Sequence, residues 1–153
     1  MAFVRILLVY LLAVLVGTVL VSIANTHVGL QALAGVGAEI PAAVRLDAIQ
    51  RDLLGFAPTL LILLAIGFAI ALPVSTLVYR LLGPGWRRIG YTIGGAVAVI
   101  VLLNAITIFY GAALDATVTP IAAARDWSGI LTLSLGGAAA GFLFALLTPA
   151  PEA

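Results

Sequence analysis

The sequence predicts an all-helical membrane protein, in which four transmembrane helices form an up-down bundle built from two parallel-related helical hairpins. Three observations lead to this fold class: the composition, four long apolar segments and a short motif that occurs twice. Hydrophobic residues make up 64% of the 153 residues and charged residues only 8%, whereas soluble domains carry about 25% charged residues. Too few polar groups are present to cover a water-exposed surface, so lipid is the expected solvent.

The composition also argues against several classes of function. The net charge is +1, whereas nucleic-acid binding needs a basic patch or stripe. The chain has no cysteine or lysine, which excludes thiolate and side-chain Schiff-base chemistry. The one histidine, His27, and the scattered aspartates Asp52, Asp115 and Asp126 lack the spacing of a metal-binding motif. We therefore expect no nucleic-acid partner, no metal, no cofactor and no catalytic activity.

The first transmembrane helix is predicted over 6–24, within a first hairpin that covers 1–82. Residues 6–23 carry no charge, and a spanning helix needs roughly 20 apolar residues. The alternative is a cleaved signal peptide with Arg5 as its basic region. The apolar run is longer than the about 7–15 residues of a signal core, which favours a retained helix.

A short amphipathic helix is predicted over 41–52, in the connection that follows. Proline suits the first turn of a helix, and Asp47 precedes Arg51 by four residues, the favourable order for an ion pair. We expect this helix to lie in the membrane interface, with an ordinary solvated loop helix as the alternative. Its apolar face consists of Leu46, Ile49 and Leu53.

The second transmembrane helix is predicted over 54–82. Pro58 stands near its start, and Pro73 lies deep inside, where a proline should kink the helix. Ser75 and Thr76 are expected to satisfy the carbonyl groups that Pro73 releases. We interpret the kink as a packing bend; the alternative is a gate.

The second hairpin, 83–153, begins with a tight Gly-Pro-Gly turn at 83–85. Arg80, Arg87 and Arg88 flank this turn, and arginines beside a short loop are typical cytoplasmic anchors. Recognition of an anionic lipid is the alternative role, although three arginines are fewer than the 4–8 basic residues of a lipid-recognition cluster.

The third and fourth transmembrane helices are predicted over 89–113 and 129–148. Small residues four apart let membrane helices approach closely. Asn104 is the one amide or ionisable side chain well inside any segment, and we expect it to bond to a neighbouring helix. Thr119 and Pro120 predict the start of a short helix between these two segments. The glycine pairs expected to mediate packing are Gly90 with Gly94 and Gly137 with Gly141.

An Arg-Asp-x-x-Gly motif occurs at 51–55 and again 74 residues later, at 125–129. Nine identities extend the match over 51–72 and 125–146. Because each hairpin crosses the membrane twice, its copy starts on the same side, and the two are related by an axis along the membrane normal. The aspartates, Asp52 and Asp126, are expected to cap helix starts. The arginines, Arg51 and Arg125, should lie at equal depth.

The arginines divide unequally between the two faces of the predicted bundle, four against three. Three of the four lie in or beside the very short loop, where positive charge has most weight in favouring the cytoplasm. We expect both termini in the cytoplasm, with the protein in a bacterial inner membrane. The four are Arg5, Arg80, Arg87 and Arg88, and the three are Arg45, Arg51 and Arg125.

The leading functional hypothesis is an accessory, assembly or scaffold subunit that packs against other membrane proteins. Abundant small residues and the lack of charge in the central region of any span favour it. The expected partners are the lipid bilayer and another membrane protein or a second copy. The alternative is an oligomeric transporter or channel for a small solute or lipid, with an outer anion-binding cleft at Arg51 and Arg125. A membrane enzyme is the third and weakest hypothesis.

Overall fold

The computed structural model of the protein describes residues 2–114 and 121–149. Within those residues the regular structure is entirely helical. Thr119, Pro120 and Asp115, which were expected to belong to the second connection, lie outside the described residues. The helices are α1 (Ala2–Gly35), α2 (Ala42–Gly55), α3 (Ala57–Leu82), α4 (Arg87–Leu114) and α5 (Trp127–Leu147), with 3₁₀ turns at Pro84–Trp86 and Ala122–Arg125.

Four of these helices are long and apolar enough to cross a membrane, namely α1, α3, α4 and α5. Their outer surfaces are apolar as well: Leu8 is 61% exposed, Ile70 65% and Ile108 70%. A soluble protein would bury such side chains, whereas lipid solvates them. The chain is therefore an integral membrane protein, and the prediction of four apolar helices able to span the bilayer is confirmed.

Helix α1 continues eleven residues beyond the predicted membrane segment and ends only at Gly35. Gly37 then adopts a left-handed conformation with φ of 90°. The Ala38 amide donates to the Leu33 carbonyl at 3.2 Å, and the Gly37 amide donates to the Ala34 carbonyl at 3.0 Å. These two bonds form a Schellman motif, which needs a left-handed residue and favours glycine there. The prediction of a polar connection directly after residue 24 is wrong, because the helix continues through Asn25 and Gly29 to this motif.

Helix α2 confirms that the first connection is helical, but it reaches Gly55 rather than residue 52. Only Phe56 separates it from α3. Asp52 therefore lies in the last turn of α2, and the predicted role of Asp52 as the cap of a transmembrane helix is wrong. No residue of α2 is buried, so this helix lies on the surface of the bundle.

Helix α3 is continuous through Pro73. The Ser75 hydroxyl donates to the Ala71 carbonyl at 2.7 Å, and the Thr76 hydroxyl donates to the Leu72 carbonyl at 2.9 Å. A proline leaves free the carbonyl four residues before it, which here is that of Ala69. The two hydroxyls bond to other carbonyls, so the prediction that they replace the bond lost at Pro73 is wrong.

The four long helices pack as the neighbouring pairs α1–α3, α3–α4, α4–α5 and α1–α5, with α4–α5 the closest and α1–α3 the loosest. A side-chain carbon added at Gly141 would meet the Tyr91 backbone, and one added at Gly137 would meet the Gly95 backbone. Residue numbers therefore fall along α5 as they rise along α4, so these two helices are antiparallel. Phe68, which is fully buried, lies at the centre of the bundle.

Residues matched by the 74-residue offset have different surroundings. Phe68 is fully buried, whereas its counterpart Phe142 is 42% exposed. A side-chain carbon at Gly67 would meet nothing within 4 Å, whereas one at Gly141 would overlap Tyr91. The repeated residues therefore do not point the same helix face towards the core.

Candidate functional site

Both Arg-Asp motifs lie at the same end of the bundle, where they border one cavity of about 670 Å³. The cavity lies between the second half of α1, the end of α2 and the start of α5. Asp52 from the first motif and Arg125 and Asp126 from the second line it. The structure thus brings together three of the four residues that the sequence analysis proposed for ligand binding.

Arg51 is the residue that the structure separates from the others. It does not line the cavity, and its Nε lies 2.9 Å from Asp47 Oδ2 in an ion pair whose side chains are 80% and 58% exposed. The two predicted arginines therefore share no cleft. The ionisable residues that line the cavity are two aspartates and one arginine, so its charge opposes an anionic ligand.

Asp52 joins α2 to α1. The Thr26 hydroxyl donates to Asp52 Oδ2 at 2.7 Å, and the Asn25 amide donates to the same oxygen at 3.3 Å. The Asn25 Oδ1 atom is buried and has no hydrogen-bond partner among the described residues. This side of the cavity therefore has one buried polar atom whose hydrogen-bonding capacity is unused among the described residues.

A polar stripe on α1 was not among the predicted sites. Thr18, Ser22 and Thr26 are spaced four residues apart, and the first two are buried in the bundle. The Ser22 hydroxyl has no hydrogen-bond partner among the described residues. The four-residue spacing places these hydroxyls on one helix face, and this signal was present in the sequence.

The second Arg-Asp motif starts α5 but without the predicted cap. Asp126 has the extended backbone of an N-cap, with φ of −119° and ψ of 148°, yet its side chain makes no capping hydrogen bond. A side-chain carbon at Gly129 would overlap the Ala123 carbonyl, whereas one at Gly55 would meet nothing within 4 Å. Only the second glycine of the motif permits a close contact.

The predicted glycine pairs lie at helix contacts within the chain. Gly137 and Gly141 face α4, and a side-chain carbon at Gly94 would overlap the Ser75 hydroxyl of α3. Gly90 also faces α3, with the Tyr79 Cβ 3.7 Å from the position of an added carbon. The Gly137–Gly141 surface is therefore occupied by α4 and is closed to a partner protein.

Asn104 is exposed on the surface of α4, and its amide donates to the Ile100 carbonyl of the same helix at 2.7 Å. The expected bond to a neighbouring helix of the chain is absent from the described residues, so that prediction is wrong. The side chain lies on an exposed stripe at helical spacing. The stripe consists of Ile93, Val97, Val101, Asn104 and Ile108.

A groove of about 530 Å³ runs between α3 and α4 beside this stripe. It extends from Trp86, the residue just before α4, to Ala105 within α4, about 28 Å at 1.5 Å per residue. This length matches the hydrocarbon core of a bilayer, which is about 30 Å thick. Small residues and aliphatic side chains line it, including Gly67, Ala71, Gly90, Gly94, Val97 and Val101.

No cluster of three or more His, Cys, Asp or Glu residues that could hold a metal ion occurs in the part of the chain that the structure describes. No protein-family model matches the sequence, and neither the curated proteins nor the solved structures contain a significant match. The fold and the sites thus define a class, a helical integral membrane protein with an apolar groove between two helices and a cavity lined by charged residues at one end of the bundle.

Proposed function

We propose that this protein is an accessory or assembly subunit of a membrane complex, and that a transmembrane helix of its partner occupies the α3–α4 groove. Lipid tails are as apolar as leucine, so close packing and polar contacts drive helix association in membranes. The groove offers close packing through its small residues, and the exposed Asn104 is the neighbour of Ala105, which lines the groove.

Asn104 is the observation on which the proposal rests. Its amide has one bond, to its own helix, and the described protein residues supply no partner for its Oδ1. An amide oxygen facing lipid costs free energy, and polar side chains gain about 0.6–2 kcal/mol from bonding across membrane helices. A partner helix with a hydrogen-bond donor at this depth would satisfy that oxygen.

We also propose that the helices cross the membrane as an up-down bundle of the two hairpins 1–82 and 83–153, with both termini in the cytoplasm of a bacterium. The antiparallel contacts of α4 with α5 support this arrangement. The arginines beside the turn at Pro84–Trp86 support the orientation, because positively charged short loops stay on the cytoplasmic side.

Site-specific photocrosslinking in native membranes tests the docking proposal. A photoreactive residue at Val101 should give one discrete crosslinked product, whereas the same residue at Leu135 should give none. Leu135 is a matched control because it is 68% exposed and lies on α5 at a depth similar to that of Val101. Equal crosslinking from both positions would show that the groove has no specific partner.

The role of Asn104 is tested by Asn104→Leu and Asn104→Gln in the same experiment. Loss of one interhelical hydrogen bond of about 0.6–2 kcal/mol should weaken association roughly three- to thirtyfold. Glutamine, which keeps the amide, should retain part of the crosslinking. A product of twice the chain mass, formed between two differently tagged copies, would identify a second copy rather than another protein as the partner.

Transport of a small polar solute is a second candidate function, favoured by the stripe on α1. The buried hydroxyls of Thr18 and Ser22 continue the line from Thr26, which borders the cavity at Asp52. With two aspartates and one arginine, that cavity suits a neutral or cationic solute better than an anion. Solute flux through purified protein in vesicles would support this function if Ser22→Val abolished it.

A further inference from the structure

A second cavity, of about 580 Å³, lies at the opposite end of the bundle. It lies between the first turns of α1 and the second half of α3, the loosest of the neighbouring helix pairs, and the start of α4 and the end of α5 also line it. Such a volume is within the range of about 300–1,000 Å³ typical of small-molecule sites. We call it the arginine cavity, because Arg80 and Arg87 both line it.

The two arginines differ in their hydrogen bonding to the rest of the protein. The Arg87 Nη2 atom donates to the carbonyl and the hydroxyl oxygen of Thr148, each at 2.7 Å, and its Cζ lies 5.9 Å from the centre of the Tyr91 ring. Arg80 makes no hydrogen bond or ion pair with another described residue. Every described acidic residue lies in the α1–α2 connection, in α2 or at the start of α5, at the other end of the bundle. Arg80 therefore offers a full positive charge to an anion.

The cavity walls below the arginines are mostly apolar. The few polar groups in these walls already form hydrogen bonds within the protein. The Tyr91 and Thr76 hydroxyls lie 2.8 Å apart in a hydrogen bond. The Tyr10 hydroxyl donates to the Ala65 carbonyl at 2.5 Å, and it joins α1 to α3 at the deep end of the cavity. Phe3, Leu7 and Leu72 supply apolar surface between these points. The cavity thus combines a cationic mouth with an apolar interior.

The depth of the cavity corresponds to one leaflet of a bilayer. Twelve residues of α3 separate Phe68, which lines its deep end, from Arg80 at its mouth, a distance of about 18 Å at 1.5 Å per residue. Half of the hydrocarbon core is about 15 Å thick. An extended acyl chain of that leaflet would reach from the level of Arg80 down to the level of Ala69, an exposed residue of α3 that lines the cavity.

We propose that the arginine cavity binds an anionic phospholipid, whose phosphate contacts Arg80 and one of whose acyl chains lies between α1 and α3. The positive charge at the mouth, the apolar walls and the leaflet-sized depth each match one part of this ligand. Arginine is suited to phosphate because its planar guanidinium can donate two parallel hydrogen bonds. The proposal is independent of the docking of a partner at the α3–α4 groove.

Spin-labelled lipids measure such binding directly in vesicles of phosphatidylcholine that contain the full-length protein. Spin-labelled phosphatidylglycerol should show a motionally restricted component larger than that of spin-labelled phosphatidylcholine. Arg80→Gln should reduce this preference about tenfold, because it removes a charge-assisted hydrogen bond to the lipid phosphate. Arg80→Lys, which keeps the charge, should retain most of it.

Three further variants distinguish a specific site from general attraction to a basic surface. Arg88→Gln removes an arginine at the same end that does not line the cavity, and it should leave the preference unchanged. Ala69→Trp fills the cavity without altering charge and should abolish the restricted component of phosphatidylglycerol, whereas Ala139→Trp on the exposed surface of α5 should not.

Each possible result of these experiments either supports the lipid-binding proposal or overturns it. Equal losses with Arg80→Gln and Arg88→Gln would show that surface charge alone attracts the lipid, and would overturn it. Unchanged restriction in Ala69→Trp would overturn the placement of the acyl chain. Displacement of the lipid by glycerol phosphate, which has no acyl chain, would show that the site recognises a free phosphate ester instead. Unchanged helix content by circular dichroism confirms that each variant folds.

Discussion

Gly95 and Gly137 are in backbone contact, and a side-chain carbon added to either one would overlap the carbonyl oxygen of the other. The contact is reciprocal, so neither helix can move aside without opening the α4–α5 interface. In lipid, where no hydrophobic force draws helices together, such close approach maximises the attraction between backbones. The spacing of the closest helix pair is therefore set by these glycines.

Gly137→Ala should destabilise the bundle by about 1–3 kcal/mol, because the added methyl group overlaps backbone atoms that cannot rotate away. Unfolding in SDS, followed by circular dichroism, measures this change. Gly67→Ala is the matched control, since nothing lies within 4 Å of its added carbon. It should leave stability unchanged or raise it by up to about 1 kcal/mol through helix propensity. Equal effects of the two substitutions would contradict the packing role.

Arg87→Gln should reduce stability by about 1–2 kcal/mol, because the guanidinium links the start of α4 to the end of α5 through Thr148. The hydrogen bonds of Arg87 are partly exposed, so the expected loss of stability is smaller than for a fully buried hydrogen bond to a charged group. The neighbouring Arg88 is exposed and makes no bond from its side chain to a described residue, so Arg88→Gln should change stability by less than about 0.5 kcal/mol. Thermal unfolding in detergent compares the two, and a loss shared by both would refute the link.

Asp52→Ala should loosen α2 without unfolding the transmembrane helices, because its carboxylate bonds to Thr26 and Asn25 of α1. Loss of about 1 kcal/mol of local stability corresponds to roughly fivefold faster amide hydrogen exchange in α2. Asp47→Ala breaks only the exposed pair with Arg51, worth about 0.3–0.5 kcal/mol in a helix, so it should accelerate exchange about twofold or less. Equally faster amide hydrogen exchange in both variants would show that the bonds from Asp52 to α1 do not hold α2 in place.

Ser22→Ala should leave stability unchanged or raise it by up to about 1 kcal/mol, because it removes a buried hydroxyl that lacks a partner among the described residues. Ser134→Ala is the comparison, since the Ser134 hydroxyl is also buried but donates to the Leu131 carbonyl at 2.7 Å. Its removal should cost about 0.5–1.5 kcal/mol. Unfolding in SDS measures both, and a larger loss at Ser22 would show that its hydroxyl has a partner.

The elements were largely predictable, and the contacts of their side chains were not. The tight turn after Leu82 and the helix in the first connection follow from glycine and proline positions that act through local backbone geometry. The end of α1 at Gly35 was missed because the polar residues Asn25 and Thr26 suggested a loop. The structure instead places Thr26 in the helix, with its hydroxyl 2.7 Å from Asp52.

For the repeated motif, too, the helices were predictable from the sequence but the side-chain contacts were not. Its two copies were expected to play equal parts, but Arg51 pairs with Asp47 on the surface while Arg125 lines a cavity. The difference arises because the first copy lies inside the last turn of α2 and the second spans the short break before α5. The same Arg-Asp-x-x-Gly pattern thus has different neighbours because the local backbone differs at its two positions.

The sequence by itself determined that this is a membrane protein with four apolar helices, because composition and segment length depend on the bilayer and not on packing. The tertiary structure alone decided that Gly137 faces Gly95, that Asn104 faces outward and that Arg80 borders a cavity. The physical reason is that lipid and protein interior are equally apolar. In water a hydrophobic stripe identifies the buried face of a helix, but in a membrane hydrophobicity is the same on both faces, and only the fit between helices selects one.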